Sequence, residues 1–255
     1  MIQFLIALAL LVFAFISIKG VSFRKWHKAK DDFPEKWRHI LQEKVPFYQQ
    51  LPSEDKQNFE QRVQDFIINN KFIGIDTTVE DIDKLLIAAS AIIPVFHFPD
   101  WRYHNLEYIQ LYPAMFDEKF ATSGEGRRIL GMVGNGFMEG KMILSKPALY
   151  HGFANETDKK NTAIHEFVHL LDKQDGSTDG VPEIFLEKQY IIPWVKLIKH
   201  EIDQIRDGKS DINPYGGTNT TEFLAVVSEY FFERPKLLQK KHPELYKMLH
   251  QIFIK

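Results

Sequence analysis

The chain has 255 residues, 44% of them apolar, and a formal net charge of −2. It contains no cysteine, which excludes a disulfide framework, a cysteine-ligated metal site and thiol catalysis. Five cations and no acidic residue fall within the first 30 positions, so the remainder of the chain is mildly acidic. A chain of this length and apolar content supports one sizeable domain. Because its body is mildly acidic, we expect no nucleic acid among its partners.

An uninterrupted apolar segment begins the chain. Ile2–Ile18 contains no charged residue, and a helix of this length spans about 25 Å, the lower limit for crossing the hydrocarbon core of a bilayer. A cleaved signal peptide is disfavoured because the cations follow the apolar run and no A-x-A site ends it. A buried helix of a globular protein is normally amphipathic. The sequence therefore predicts an N-terminal transmembrane helix over residues 1–18.

The next segment, residues 19–32, is interpreted as a basic juxtamembrane linker. It holds the five cations Lys19, Arg24, Lys25, Lys28 and Lys30. Cations beside a membrane span favour retention of that side in the cytoplasm. We therefore expect a single-pass membrane protein whose main domain is cytoplasmic. The same cations would also solvate an ordinary linker, and the two interpretations are compatible.

Residues 33–255 show the pattern of a single α+β domain, mostly helical with a small mixed sheet. Apolar periodicity and helix-start signals predict helices beginning at Ser53, at Thr77 or Thr78 (ending at Pro94), over about 159–173, near Pro182, near Thr220, and from Pro235 to the end. Strands are predicted at Leu106–Tyr112 and Lys141–Ser145, separated by a glycine-dense stretch.

The strongest chemical signal is an H-E-x-x-H motif formed by His165, Glu166 and His169. Four residues turn a helix through about 400°, so the two histidines project from one face and can bind one zinc ion. Glu166 is rotated away from that face, which suits a base for the water that zinc makes acidic. The alternative is a pair of core histidines on an ordinary helix, but burying these three side chains is costly without a metal or hydrogen bonds.

Zinc requires a third protein ligand, and the sequence offers several. The extended motif that ends in a third histidine is absent, because positions 172 and 175 are both aspartate. Asp175 could bind the metal, but a later helix carrying Glu222 and Glu229 is favoured. Asp172 could orient a ligand imidazole, or it could serve only the helix end or the surface.

Several segments match the Mlc titration factor A family of zinc peptidases, which the chain resembles from about residue 35 to 250. They are His165–Asp172, Gly180–Pro182, Tyr215 and Glu222–Phe232, with Pro46-Phe47, Asp100-Trp101, Tyr112-Pro113 and Met142–Ser145. The N-terminal apolar segment lies outside the resemblance.

The resemblance implies a zincin-like fold with a site of the gluzincin type. Glu222 would be the third zinc ligand, and Tyr215 would stabilise the oxyanion. Met142–Ser145 would be the edge strand that pairs with an extended peptide substrate. The implied activity is aminopeptidase-like, and the founding member of the family also binds a transcriptional repressor of sugar uptake.

Two functions follow from these observations. The first is a membrane-tethered zinc metallopeptidase that acts on peptides. The second is a binding protein that keeps the zincin scaffold to sequester a protein regulator, a transcriptional repressor. The presence of Glu166 favours the first, since a scaffold freed from catalysis has no need of the base.

Overall fold

Helices carry most of the structure in the computed structural model, which describes residues 25–134, 136–155 and 157–254. They are α1 (Glu35–Lys44), α2 (Pro46–Gln50), α3 (Ser53–Asn69), α4 (Asp81–Ile92), α5 (Lys146–Ala154), α6 (Thr162–Asp172), α7 (Lys188–Arg206), α8 (Thr220–Glu233), α9 (Pro235–Lys241) and α10 (Pro243–Phe253). The predicted transmembrane helix over residues 1–18 lies outside the described residues. Within them, no helix combines the length and the apolar character that a membrane span requires.

The described strands form one mixed sheet. They are β1 (Lys71–Gly74), β2 (Leu106–Tyr112), β3 (Gly131–Val133) and β4 (Gly140–Ser145), in the spatial order β1-β2-β4-β3. The pairs β1–β2 and β2–β4 are parallel, and β3 runs antiparallel to β4. The predicted α+β class, mostly helical with a small mixed sheet, is confirmed.

The prediction that Met142–Ser145 is an edge strand is wrong. These residues belong to β4, which is paired with β2 on one side and β3 on the other. The edge beside the candidate site is β3. A three-residue strand that begins at Gly131 carries almost no strand propensity of its own, so its pairing with β4 decides the conformation.

Helix α6 lies at the centre of the core. It packs against α4, α5 and α8 and against β3. The ring of Phe167 contacts Phe66 and Tyr103, with centroid distances of 5.7 and 5.2 Å, so one face of α6 is fully covered by apolar side chains. The opposite face is left to carry polar groups.

Three helix boundaries differ from the predictions, each for a local reason. Helix α4 begins at Asp81 rather than at the threonines because Glu80 and Asp83 form a capping box. Helix α7 begins at Lys188 because residues 182–187 form turns that bury Phe185 against Trp101. The last predicted helix is two helices, broken at His242 where Pro243 begins α10. Helices α1, α2 and α5 and strands β1 and β3 were not predicted.

The described part of the predicted linker lies along α3. The backbone N–H of His27 donates to Asn69 Oδ1 at 2.9 Å, and that of Ala29 donates to Asp65 Oδ1 at 2.8 Å. Asn69 Nδ2 in turn donates to the His27 carbonyl at 2.6 Å. Residues 27–29 are therefore fixed to the domain, while the division of the chain into residues 1–18, 19–32 and 33–255 stays a prediction.

Candidate metal centre

The H-E-x-x-H segment forms helix α6, as its spacing predicts. Asn161 caps the helix, its side-chain oxygen accepting the Ile164 N–H at 3.1 Å. One turn apart on the same face, the rings of His165 and His169 lie with centroids 4.6 Å from each other. Their side chains are 11% and 13% exposed, so both imidazoles are largely buried.

Glu222 meets the two histidines from the first turn of α8. Its Oε2 lies 3.0 Å from His165 Nε2 and 3.6 Å from His169 Nε2. One ligand atom from each residue falls within 4.8 Å of the other two, and in the described ranges this is the one such group of three. Zinc binds imidazole nitrogen and carboxylate oxygen at about 2.0–2.2 Å. A single ion placed among these three atoms fits both the spacing and the chemistry of the donors.

Glu229 is not one of these three donors and contacts the other ring nitrogen of His165 instead. Its Oε1 is 2.8 Å from His165 Nδ1, and its Oε2 accepts the backbone N–H of Asn161 at 2.5 Å. A carboxylate on the far nitrogen of a ligand histidine fixes the orientation of the ring. Asp175 is not in the cluster, since its carboxylate accepts hydrogen bonds from Ser177 and Glu183 in the turn after α6.

The charges in the cluster shift the pKa values of its members in opposite directions. Burial disfavours a charged His165 ring, but hydrogen bonds to Glu222 and Glu229 outweigh burial and raise its pKa to about 10. For Glu222, burial favours the neutral acid, and hydrogen bonds from the two histidines outweigh it and lower the pKa to about 2. Without a metal, the cluster is therefore held together by a protonated His165 between carboxylates.

Glu166 is buried against the edge strand. The backbone N–H of Val133 hydrogen-bonds to its carboxylate. Gly131 leaves the room for it, because a Cβ at that position would lie 2.8 Å from both Cγ and Oε1 of Glu166. Burial raises the pKa of this carboxyl, opposed by the positive charges of His165 and His169. Such a group is well placed to accept a proton beside the cluster.

Tyr215 lies at the mouth of the site and is 53% exposed. It stands in a short turn, Pro214–Gly217, in which Asn213 accepts the Tyr215 N–H at 3.1 Å. Its ring centroid is 6.0 Å from that of His165. Burial and the negative charge of Glu222 raise the pKa of its hydroxyl, so the hydroxyl keeps its proton and can donate it in a hydrogen bond.

Asp172 acts on the backbone that follows α6. It is fully buried, and its two carboxylate oxygens accept the Gly180 N–H at 3.1 and 2.9 Å. Gly180 has a φ of 81° and packs so closely on Thr220 that a Cβ would lie 2.2 Å from the Thr220 carbonyl oxygen. Asp172 thus fixes the loop against the start of α8, two residues before Glu222, and is not a surface residue.

The site opens into a cleft of about 740 Å³. Its lining includes residues that no sequence pattern marked, namely Met115, Arg128, Leu130 and Lys160. Two more residues support the site: Gly131 leaves room for Glu166, and Asn161 caps α6 and donates its backbone N–H to Glu229. The position of Asn161 directly before an apolar helix is a typical N-cap signal and could have been recognised. Gly131 gave no such signal within its glycine-dense stretch.

Comparison with known proteins decides the family. The model of the glucose-regulated metallo-peptidase M90 family matches residues 22–254. The chain belongs to this family. A metallopeptidase-like domain is accordingly expected of an M90 member, and the predicted resemblance to the Mlc titration factor A family is confirmed by the relatives described next.

Relatives of this M90 protein match it over most of their length. An uncharacterized protein of Synechocystis sp. is 32% identical over 231 residues, which cover 86% of this chain and 84% of the relative. Mlc titration factor A of Pectobacterium atrosepticum is 24% identical over 234 residues, covering 86% and 85%. Mlc titration factor A of Escherichia fergusonii is 23% identical over 250 residues, covering 90% and 91%.

Proposed function

We propose that the chain is a zinc-dependent peptidase in which His165, His169 and Glu222 hold the metal. The observation that carries the proposal is the convergence of two imidazole nitrogens and one carboxylate oxygen within 4.8 Å. Such a set of three protein ligands, with a fourth position left for water or substrate, is typical of catalytic zinc. The buried carboxylate of Glu166, on the same helix, adds the base that hydrolysis needs.

Each residue has a separate part in the proposed reaction. When bound, zinc supplies Lewis acidity, which polarises the scissile carbonyl and makes water acidic. Glu166 takes a proton from the attacking water and delivers it to the leaving amine. The Tyr215 hydroxyl donates a hydrogen bond to the oxygen that becomes negative. Glu229 keeps His165 in the orientation that directs Nε2 toward the metal.

The substrate is proposed to bind along β3. In the described sheet this strand pairs with β4 alone, so its outer side is available for an added strand. Gly131 leaves the room that Glu166 occupies, and the Val133 N–H hydrogen-bonds to Glu166, so a peptide on β3 would lie beside the base. The aminopeptidase-like preference stays a prediction, and N-acetylated and free peptides of one sequence would test it.

The decisive experiment compares Glu166→Gln with the wild-type chain, each in full length and loaded with zinc. A carboxamide cannot accept the proton, so peptide hydrolysis should fall by roughly 10²–10⁴-fold while zinc content stays the same. Glu222→Ala should lose zinc, and Asp175→Ala, outside the cluster, should keep it. Full hydrolysis by Glu166→Gln, or full zinc occupancy in Glu222→Ala, would overturn the proposal.

A second function is favoured by one observation, the name Mlc titration factor A carried by relatives at 23–24% identity. As the alternative, we propose that the chain binds and sequesters a transcriptional repressor. Glu166→Gln separates the two functions, because a sequestering protein keeps its partner when hydrolysis is lost. Titrating a purified repressor into wild-type and variant protein measures this directly.

A further inference from the structure

The accessible charges of the cleft are positive. Arg128 and Lys160 line it with exposed side chains. Neither forms an ion pair or a hydrogen bond through its side chain with another residue of the described ranges. His151, a third basic group of the lining, is already paired with Asp158 at 2.6 Å.

The carboxylates of the cleft lining are not available to a ligand in the same way. Glu166 and Glu229 are each 6% exposed. Glu229 is hydrogen-bonded to His165 and Asn161, and Glu166 is packed against β3. A charged part of a substrate in this cleft therefore meets free cations rather than a free anion.

Both cations lie at the end of β3 and α6 where the two elements begin. Strand β3 and helix α6 run in the same direction, since Gly131 abuts Thr162 at the start of the helix and the Gly134 carbonyl accepts from Lys173 Nζ just after its end. Arg128 comes shortly before β3, and Lys160 comes shortly before α6. The two residues thus line the cleft from neighbouring segments, beside the positive end of the α6 dipole.

We propose that Arg128 and Lys160 select peptides with a carboxylate on the C-terminal side of the scissile bond. The inference rests on the proposed function and adds a substrate class to it. A strand added antiparallel to β3, the more stable pairing, runs toward Arg128 at its C-terminal half. Its carboxylate is either the free C-terminus or an acidic side chain, and both offer the same charge to the two cations.

The test uses four peptides of one neutral sequence. One ends in an amide, one ends in a free carboxylate, and two are amides with a glutamate either after or before the scissile bond. We expect the zinc-loaded full-length chain to favour the free carboxylate and the later glutamate over the neutral amide. The factor is about two- to fivefold for each exposed ion pair, and it should shrink as salt is added.

In Arg128→Gln/Lys160→Gln, the ratio of kcat/KM for each C-terminally charged peptide to kcat/KM for the neutral amide should be about one. Because the ratio is taken within each variant, a general loss of activity cancels. Lys236→Gln/Lys240→Gln removes the same charge from exposed positions on α9, outside the cleft, and should keep the preference. Any of three results would overturn the inference. The ratio could be one in the wild type, the wild type could prefer the earlier glutamate, or the preference could survive in Arg128→Gln/Lys160→Gln.

Binding to Glu166→Gln separates this inference from the proposed function. Dissociation constants of the same four peptides for zinc-loaded Glu166→Gln, measured by fluorescence anisotropy, should follow the same order as the kcat/KM values. If the wild type hydrolyses none of the peptides, the proposed function fails while the binding order still decides the inference. Equal dissociation constants for the neutral and the C-terminally charged peptides would overturn the inference even if hydrolysis is observed.

Discussion

Glu229 Oε1 accepts a 2.8 Å hydrogen bond from Nδ1 of His165, on the side of the ring opposite to Glu222. This contact ties the third turn of α8 to the first turn of α6. It leaves Nε2 as the only ring nitrogen that can face a metal, so one residue outside the donor set decides which atom binds.

Glu229→Gln should therefore weaken zinc binding without removing a ligand. Loss of a carboxylate behind a ligand histidine typically costs 10- to 100-fold in metal affinity. Competition with a chromophoric chelator measures the change. Glu183→Gln, on the exposed loop after α6, is the control and should bind zinc as the wild type does. Unchanged affinity in Glu229→Gln would show that the ring is held by packing alone.

Zinc binding should release a proton and strengthen as the pH rises toward 10. The pKa of His165 in the metal-free chain is raised to about 10 by its two carboxylate partners, so at neutral pH a proton must leave Nε2 before zinc can bind. Calorimetry in buffers of different ionisation enthalpy should find about one proton released per zinc at neutral pH. No proton release would place His165 in its neutral form.

The same shift predicts how the stability of the metal-free chain depends on pH. A raised pKa in the folded state contributes stability that is complete below the unfolded value, 6.5, and is lost as the pH rises through about 10. The thermal midpoint of the chelator-treated chain should fall over this window. Zinc-loaded protein should not share that fall, since its His165 is already deprotonated at Nε2. A flat midpoint in the metal-free chain would contradict the shift.

Gly131→Ala should impair turnover more than metal binding. The new Cβ would lie 2.8 Å from Cγ and Oε1 of Glu166 and 2.9 Å from Cγ2 of Thr162, so the base must move. A displacement of about 1 Å at a reacting group can cost on the order of 10²-fold in rate. Gly134→Ala is the matched control, because its Cβ would meet only Met138, at 3.2 Å. Equal kcat values in the two variants would contradict the positioning role.

Tyr215→Phe should lower kcat more than it raises KM. A donor to a developing oxyanion acts mainly in the transition state, and losing one such donor costs roughly 10²–10³-fold in kcat. Steady-state kinetics on one peptide separates the two constants. Tyr190→Phe, at the start of α7 and outside the cleft lining, should change neither. Wild-type turnover in Tyr215→Phe would leave that tyrosine an ordinary loop residue.

The membrane prediction rests on the sequence alone, since Ile2–Ile18 lies outside the described residues. We expect an uncleaved anchor with residues 33–255 in the cytoplasm. In intact cells, a C-terminal reporter that works only in the cytoplasm should be active, and one that works only after export should be silent. Deleting residues 2–18 should release the chain from the membrane fraction. Activity of the exported reporter would reverse the topology.

The grouping of His165, His169 and Glu222 could be predicted for two reasons, one for the histidines and one for the glutamate. The four-residue spacing of His165 and His169 on a helix fixes their common face. Glu222 is an acid in a mostly apolar helix, and such an acid is rarely left without a partner. The residue pattern alone left Glu222 and Glu229 both open, because they lie on the same face of α8, and the family resemblance favoured Glu222. The structure places Glu222 next to both histidines and Glu229 on Nδ1 of His165.

The edge strand could not be predicted for a different reason. Gly131–Val133 is a strand only because β4 lies beside it, and no local pattern records such a pairing. Helix α5 was also missed, because Lys146–Ala154 follows β4 without an intervening loop. One proline, Pro147, is the only sequence signal between the strand pattern and the helix pattern. The start of α7 was misplaced because Pro182 suits a turn as well as a first helical turn.

The proposed metal site is assembled from parts that are far apart in the chain. His165 and Glu222 are separated by 57 residues, and His165 and Glu229 by 64. Closing such a loop costs entropy that local helix formation does not recover. The site therefore exists only after α8 has docked on α6, so zinc uptake during refolding should follow formation of the helices and report the completed core.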